Sequence, residues 1–338
     1  MAASMDRSPG STMPVSGVGR SRGTVGNPVD GARPEMDAEQ EVPRREAAFG
    51  LAPVGDVEGP SDAPGPRSPI GPAQIDEWNE VAQDWSRGKH STWRSHSDRL
   101  NIGFLRAHAP AGRVERILKT DVFDEAVRLG GIVPALLEQG ERVTALDLSP
   151  HMLHLASGRR KRGSMALDLA GGDVRRLPFA DGSFDLVFSN STLDHLDSLD
   201  EIALSIEELA RILRPGGRLL LTLDNAQNPI IALRALLPRK VQKIGDVVPY
   251  PVGPTCGRRR LVKMVEGAGL KVRATGTLVH SPRLLMVPLS AWIDRRDHAR
   301  AKKIFSRAAV LLEGLGRLPT RYFTGHFVSV VAERSSTD

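Results

Sequence analysis

Asp147 closes the apolar run Thr144-Ala145-Leu146 and is followed at once by Leu148-Ser149-Pro150. Proline just inside a helix start costs little, because the first helical N–H groups lack intrahelical partners anyway. A carboxylate at the end of such a strand can accept hydrogen bonds from both hydroxyls of a ribose. It can equally serve, with Ser149, to cap the helix that follows, with no ligand at all. Asp173 comes 26 residues later in Gly172-Asp173-Val174, as a second acceptor or as a turn residue. Downstream, Ser189-Asn190-Ser191-Thr192-Leu193-Asp194-His195 follows another apolar run, Phe184–Phe188. Asp194 and His195 are an acid and an imidazole side by side, suited to taking a proton from an acceptor or simply to a polar network.

These residues need elements to hold them at one edge. From Val114 onward, strand-like runs alternate with helical ones: Val114–Leu118, Arg142–Leu146, Ser164–Leu169, Phe184–Phe188 and Arg218–Leu223 as strands. Between them lie helical stretches at 132–138 and from Pro150 to Ala156. A third helix spans 199–213, with Leu199, Ile202, Ile206, Leu209 and Leu213 spaced 3, 4, 3 and 4 apart. The Pro215-Gly216-Gly217 turn is expected to end that helix. Such alternation with short loops predicts a doubly wound, mostly parallel sheet whose strand carboxyl ends share one edge, where ligands bind. Beyond it, 257–267 looks helical, while Lys271–Val279 and Gly325–Ala332 look strand-like. Residues 225–256 carry Pro229, Pro238, Pro249, Pro251 and Pro254, too irregular for the sheet, and are read as a lid or substrate-side insertion reaching about residue 260.

The ordered set of motifs resembles the class I S-adenosylmethionine-dependent methyltransferases of the ubiquinone/menaquinone-methyltransferase-like kind. It runs from Asp147-Leu148-Ser149-Pro150 through Gly172-Asp173-Val174, Leu177-Pro178-Phe179 and Asp181-Gly182-Ser183-Phe184-Asp185-Leu186-Val187. It continues through the Ser189–His195 run, Glu207–Arg214, Pro215-Gly216-Gly217 and Leu219-Leu220-Leu221-Thr222. The resemblance covers 114–224 and more loosely extends to Ala332. It implies a Rossmann-like α/β fold with a seven-stranded sheet, mostly parallel with the last strand antiparallel, and S-adenosylmethionine as cofactor. In that scheme Asp147 holds the ribose, Leu148 and Met152 pack beside the adenine, and Asp173 accepts from its amino group. Val174 supplies a backbone N–H, and Asn190 lines the floor beneath the methionine moiety. Asp194 and His195 are the nearest pair suited to catalysis. His280, Arg283 and Tyr250 are looser candidates.

The first motif departs from the family. Where a Gly-x-Gly-x-Gly loop belongs, this chain reads Lys119-Thr120-Asp121-Val122-Phe123-Asp124-Glu125, and the glycines arrive only at 130 and 131. Either Thr120 and Asp121 replace the backbone cradle, with a carboxylate for the methionine ammonium, or the cofactor site has decayed and the fold serves another role.

Residues 1–72 hold eleven Pro, eleven Gly, seven Arg and ten Asp or Glu with no hydrophobic periodicity, and are read as a disordered tail. Residues 73–113, with Trp78, Trp85 and Trp93, form a helical cap or a lid over the cleft, and 114–334 form the methyltransferase domain. The net charge of +6 becomes +9 once the tail is set aside. That surplus is too diffuse, and the aromatic content of 4% too low, to expect a nucleic-acid partner. One cysteine, Cys256, excludes an internal disulfide or a cysteine metal cage, and no metal is expected. Apolar runs such as Leu284–Leu289 and Ala308–Leu312 are too short to span a bilayer, so the expected setting is the cytoplasm, with no membrane partner. The function expected is methyl transfer to a small-molecule or glycan-type acceptor at oxygen. RNA or protein methylation, or binding without turnover on the same fold, are the alternatives.

Overall fold

Alternation of apolar runs with amphipathic ones builds a seven-stranded sheet in the order β3-β2-β1-β4-β5-β7-β6. The structure is a computed structural model that describes residues 76, 79–80, 91–128, 131–163, 167–237 and 252–336. Its strands are β1 (Val114–Lys119), β2 (Gly140–Asp147), β3 (Leu167–Gly171), β4 (Phe184–Asn190), β5 (Leu213–Asp224), β6 (Leu270–Leu278) and β7 (Phe327–Arg334). Strands β1 to β5 pair in parallel, while β7 inserts antiparallel between β5 and β6. The doubly wound architecture expected from the sequence is the one observed.

Helices cover both faces of the sheet, which is why the central strands read as continuous apolar runs rather than alternating ones. On one face α5 (Leu199–Ile212) and α7 (Arg258–Gly267) bury Ile202, Ile206, Leu209, Leu261 and Val265 against β4, β5 and β7. On the other, α1 (Ser91–His108), α2 (Phe123–Val127), α3 (Val133–Gln139) and α4 (Pro150–Gly163) contribute Leu105, Ala126, Leu136 and Met152 to a second core. A third cluster joins Trp93 of α1 to α8 (Arg283–Arg296) and α9 (Ala299–Glu313) through Met286, Val287, Ile293, Phe305 and Ala309. The remaining helices are short, α6 (Pro229–Ala235) and α10 (Arg321–Thr324).

Local chemistry fixes the ends. Ser198 caps α5 by accepting from the Glu201 N–H at 3.1 Å, and Asp200 and Glu201 sit in its first turn, where carboxylates suit the helix dipole. After that helix, Pro215-Gly216-Gly217 does not separate helix from strand as expected. The chain enters β5 directly at Leu213, and the triplet forms an irregularity inside the strand, with a register shift against β4 between Phe184 and Leu186. Gly216 has φ +78°, a conformation a side chain would strain.

The irregular 225–256 stretch begins with a helix, since Pro229 occupies the first position of α6 behind the cap Asn228, and ends with a bridge between Asn225 and Cys256. Pro238, Pro249, Tyr250 and Pro251 lie outside the described residues, as do the tail 1–72, Trp78, Trp85 and Ser164. Helices α8 and α9 were not expected, because Leu284–Leu289 is apolar all round and carries Pro288, which masks any helical period.

Candidate active site

The sheet order reverses between β2-β1 and β1-β4, so their carboxyl ends diverge and leave a crevice. Lys119, Asp147 and Asn190, the last residues of β1, β2 and β4, all line a cavity of about 270 Å³ there. Leu148, Met152, Asp173 and Val174 line the same cavity, as do Thr120, Asp121 and His195. Of the residues singled out in the sequence for the site, Asp194 and His280 are absent from its walls, Arg283 is among them, and Tyr250 lies outside the described residues.

Asp147 is braced rather than idle. Its Oδ2 accepts the Val122 N–H at 3.0 Å and its Oδ1 the Ser149 N–H at 2.8 Å, leaving each oxygen lone pairs toward the cavity. Burial pushes its carboxyl up to about 6, against the pull of those two N–H groups. Ser149 also caps α4, its Oγ accepting the Met152 N–H at 3.2 Å, so the helix-capping role falls to Ser149. Asp173 is half committed, since Arg175 grips it through Nε at 3.1 and 3.0 Å and also bonds Glu201.

Between β1 and α2 the chain places three ionic side chains where a bare backbone would lie. Lys119 is buried, and its Nζ donates to the Asp121 carbonyl at 2.7 Å, Asp121 Oδ1 at 2.9 Å and Glu125 Oε2 at 3.1 Å. Burial alone would lower the Lys119 ammonium, yet the Asp121 and Glu125 carboxylates together hold it above the usual lysine value. Glu125 is 1% exposed, and burial pushes it up to about 7 even with Lys119 beside it. Asp121 also closes a turn by accepting the Phe123 N–H at 3.1 Å, and its Oδ2 lies 3.5 Å from the Thr192 hydroxyl on the cavity side. Thr120 donates to Ser189 at 3.0 Å and shares a 2.8 Å hydrogen bond with Thr192, tying this loop to the end of β4.

The end of β4 turns sharply. Ser191 adopts φ +51°, uncommon for a side-chain-bearing residue, and its N–H reaches Thr222 at 3.1 Å. Asn190 accepts from the Thr222 hydroxyl at 2.8 Å, which fixes its amide at the cavity floor. The 3₁₀ turn Leu193–His195 then separates the neighbouring acid and imidazole. His195 faces the cavity, while Asp194 turns inward, 1% exposed, accepting from Ser191 Oγ at 2.9 Å. Its Oδ1 has no hydrogen-bond partner among the described residues, and burial, with Asp224 nearby, raises its carboxyl.

The opposite wall comes from α1, the β6–α8 region and the start of β7: Trp93, Arg94, Asp98, Val279, Arg283, Val287 and Phe327. Arg283 Nη1 lies 3.0 Å from His326 Nε2, and His326 in turn stands 3.3 Å from Asp224 Oδ1. Burial would raise Asp224, but His326 and Arg234 hold it well below the usual range. His280, by contrast, is buried between Thr324 and Thr277 at 2.8 and 3.2 Å, away from the cavity. Sequence reasoning overlooked Lys119, Ser191, Arg175, Arg94 and Asp98. The only early signal was the density of charge at 119–125. Among the described residues no three His, Cys, Asp or Glu side chains are grouped to hold a metal ion.

The Asp147 side of the cavity suits a nucleoside: one ionisable carboxylate with spare lone pairs, flanked by Leu146, Leu148, Met152 and Val174. The β1 loop suits a cationic group better than a carboxylate, through Asp121 Oδ2.

Comparison with known proteins gives the same outline. Residues 124–221 match the family described as "Methyltransferase domain". The chain is 37% identical over 133 residues to a malonyl-[acyl-carrier protein] O-methyltransferase from Enterobacter lignolyticus, covering 39% of this chain and 48% of that one. It is 38% identical over 98 residues to a demethylmenaquinone methyltransferase from Beutenbergia cavernae, covering 29% and 38%. The chain thus spans less than half the length of these curated relatives. Among solved structures, the geranyl diphosphate C-methyltransferase of Streptomyces coelicolor A3(2) aligns with TM-score 0.44 and 15% identity, over 70% of this chain and 76% of that one.

Proposed function

The chain carries a class I S-adenosylmethionine-dependent methyltransferase domain, and on that premise we propose that it transfers a methyl group to a small-molecule acceptor at oxygen. The observation that carries this reading is the braced carboxylate of Asp147 at the sheet's switch point, with His195 on the wall of the same cavity. Asp147 would accept from both ribose hydroxyls, and Asp173 with the Val174 N–H would meet the adenine edge. Asp121 Oδ2, beside Thr192, would hold the methionine ammonium, and Asn190 would lie beneath it. S-adenosylmethionine, when bound, supplies an electrophilic methyl group.

What the protein adds is position and proton management. In-line displacement gains most from alignment of the two reacting atoms, which rigid strand ends can impose. Trp93, Val279, Val287 and Phe327 would pack the acceptor's apolar body, and Arg283 would meet an anionic group on it. His195 would take the proton of an acceptor hydroxyl. Asp194, buried behind it and bonded to Ser191, would act as a positioning residue for the turn that presents His195. The name of one relative, an O-methyltransferase, supports oxygen as the acceptor atom. In this reading 114–334 are the catalytic domain, 73–113 its cap and 1–72 a dispensable tail.

Calorimetry with S-adenosylmethionine, followed by transfer of labelled methyl to a panel of small hydroxyl and carboxyl compounds, tests the proposal. Binding plus transfer to at least one of them is expected. A parent protein that binds no cofactor, or that labels only RNA with steep salt dependence, overturns it.

A further inference from the structure

Helices α8 and α9 present unusual outward faces. The inner side of α8 is spent on Met286, Val287, Ser290, Ala291 and Ile293, all buried. Its outer side carries Leu285, Pro288, Leu289 and Trp292, spaced 3, 1 and 3 apart on a single helical face. Leu285 is 69% exposed, Leu289 45% and Trp292 45%. On α9, Phe305 and Ala309 face in, while Ile304 is 60% and Leu311 80% exposed. A surface helix ordinarily turns charge outward on that side, and large apolar residues gathered on consecutive helices signal something that covers them.

The charge around these residues is of one sign. Arg295, Arg296, Arg300, Lys303 and Arg307 are all exposed on α8 and α9. Asp297, in the link between the two helices, is the one exposed carboxylate among the described residues of 283–313, and Lys302 pairs with it at 2.6 Å. Arg296 stacks over the Trp292 ring at 4.1 Å, presenting a cation and an aromatic together. A second copy of the chain would bring five like charges against five, which disfavours self-association. A surface that is apolar and anionic at once fits both properties.

We propose that α8 and α9 rest in the headgroup layer of an anionic lipid bilayer. Leucine, isoleucine and tryptophan would enter the boundary with the acyl chains, and the arginines and lysine would meet lipid phosphates. The attachment is peripheral, since no helix among the described residues is long and apolar enough to cross a membrane. It does not depend on the methyl-transfer reading.

The test is sedimentation of the full chain with vesicles, without cofactor or acceptor. Binding is expected to vesicles mixing phosphatidylglycerol with phosphatidylcholine, to weaken as salt rises, and to be much weaker on phosphatidylcholine alone. Each basic residue near the surface is worth roughly fivefold in affinity. Arg300→Glu, Lys303→Glu and Arg307→Glu combined should therefore lower affinity by on the order of a hundredfold or more. Leu285→Ser with Leu289→Ser should lower it by roughly tenfold or more. These side chains are exposed, and circular dichroism on each variant checks the fold. For a variant that fails that check, the salt dependence of the parent stands in. The proposal is overturned if the parent ignores anionic vesicles, if both variants bind like the parent, or if light scattering shows the same residues driving self-association. Binding of an acidic protein through this face in the absence of any vesicle affinity overturns it as well.

Discussion

In the proposed site Asp147 would pull stability and binding in opposite directions. Its carboxyl is raised to about 6 by burial, so the folded protein holds that proton more tightly than the unfolded chain does. The stability it contributes is fully present below about pH 4 and is lost as pH rises through about 6. Ribose hydroxyls need the ionised form, so cofactor affinity should be flat above about pH 7 and fall by up to roughly tenfold per pH unit below about 6. Calorimetric titration across pH 5 to 8 reads this directly, and a flat profile would remove Asp147 from the ribose. Asp147→Ala should weaken binding by roughly one to three orders of magnitude, since two charge-assisted bonds are lost together. Asp173→Ala should weaken it less, because Arg175 already takes much of that carboxylate. The sequence pointed to Asp147, Asp173 and Asn190, which line the cavity, because each ends or follows an apolar run at a turn signal. It hid Ser191, since nothing in a serine announces a φ of +51°. It also gave no means of telling Asp194 from His195, because a 3₁₀ turn points neighbours in different directions.

At the scale of elements, the loop between β1 and α2 carries the clearest mutational signature. Lys119 and Glu125 are both buried and bonded to each other at 3.1 Å. Removing Lys119 leaves Glu125 buried without its partner, which typically costs about 3–5 kcal/mol, whereas removing Glu125 leaves Lys119 still paired with Asp121. Lys119→Met should therefore lower stability by about that much, and Glu125→Leu by less, because Asp121 still holds the ammonium. The combined variant should fall short of the sum by about 1–3 kcal/mol, a difference that urea denaturation of the four proteins resolves. Additivity would mean that the pair is not coupled. Gly253 offers a second probe. Its N–H donates to the Asp194 carbonyl at 2.7 Å, and a Cβ there would collide with the carbonyl of Leu196, in the turn that carries His195. Gly253→Ala should cost about 1–3 kcal/mol from overpacking and reduce turnover more than cofactor affinity. Equal loss of both would separate this turn from the acceptor side. Strands β1, β2, β4 and β5 were legible because apolar runs bounded by Gly, Pro and Asp have few alternatives. Helix α8 was not, because a helix apolar on both faces carries no 3.6-residue contrast to read.

For the whole molecule, a ligand that binds only the folded state raises its melting temperature. At a cofactor concentration a hundred times Kd the gain is about 2.7 kcal/mol, which for a domain of this size is roughly 5–10 °C. That shift should fall by about half or more in Asp147→Ala at the same concentration, and scanning fluorimetry measures it. A chain beginning near Pro72 should melt like the parent and keep its shift, because the composition of 1–72 gives it little to bury. A drop of several degrees would show that those residues stabilise the domain. The sheet itself has a property that follows from its order alone. Phe327–Arg334 comes latest of the seven strands along the chain, yet it lies between β5 and β6 rather than at a rim. During synthesis, two rows of unpaired backbone groups stay open until residue 334 has emerged, and any message cut short before Phe327 yields a product with both rows bare. Closure of the sheet thus waits on its latest strand, and a chain lacking it would expose two facing strand edges, each a template for pairing with another chain.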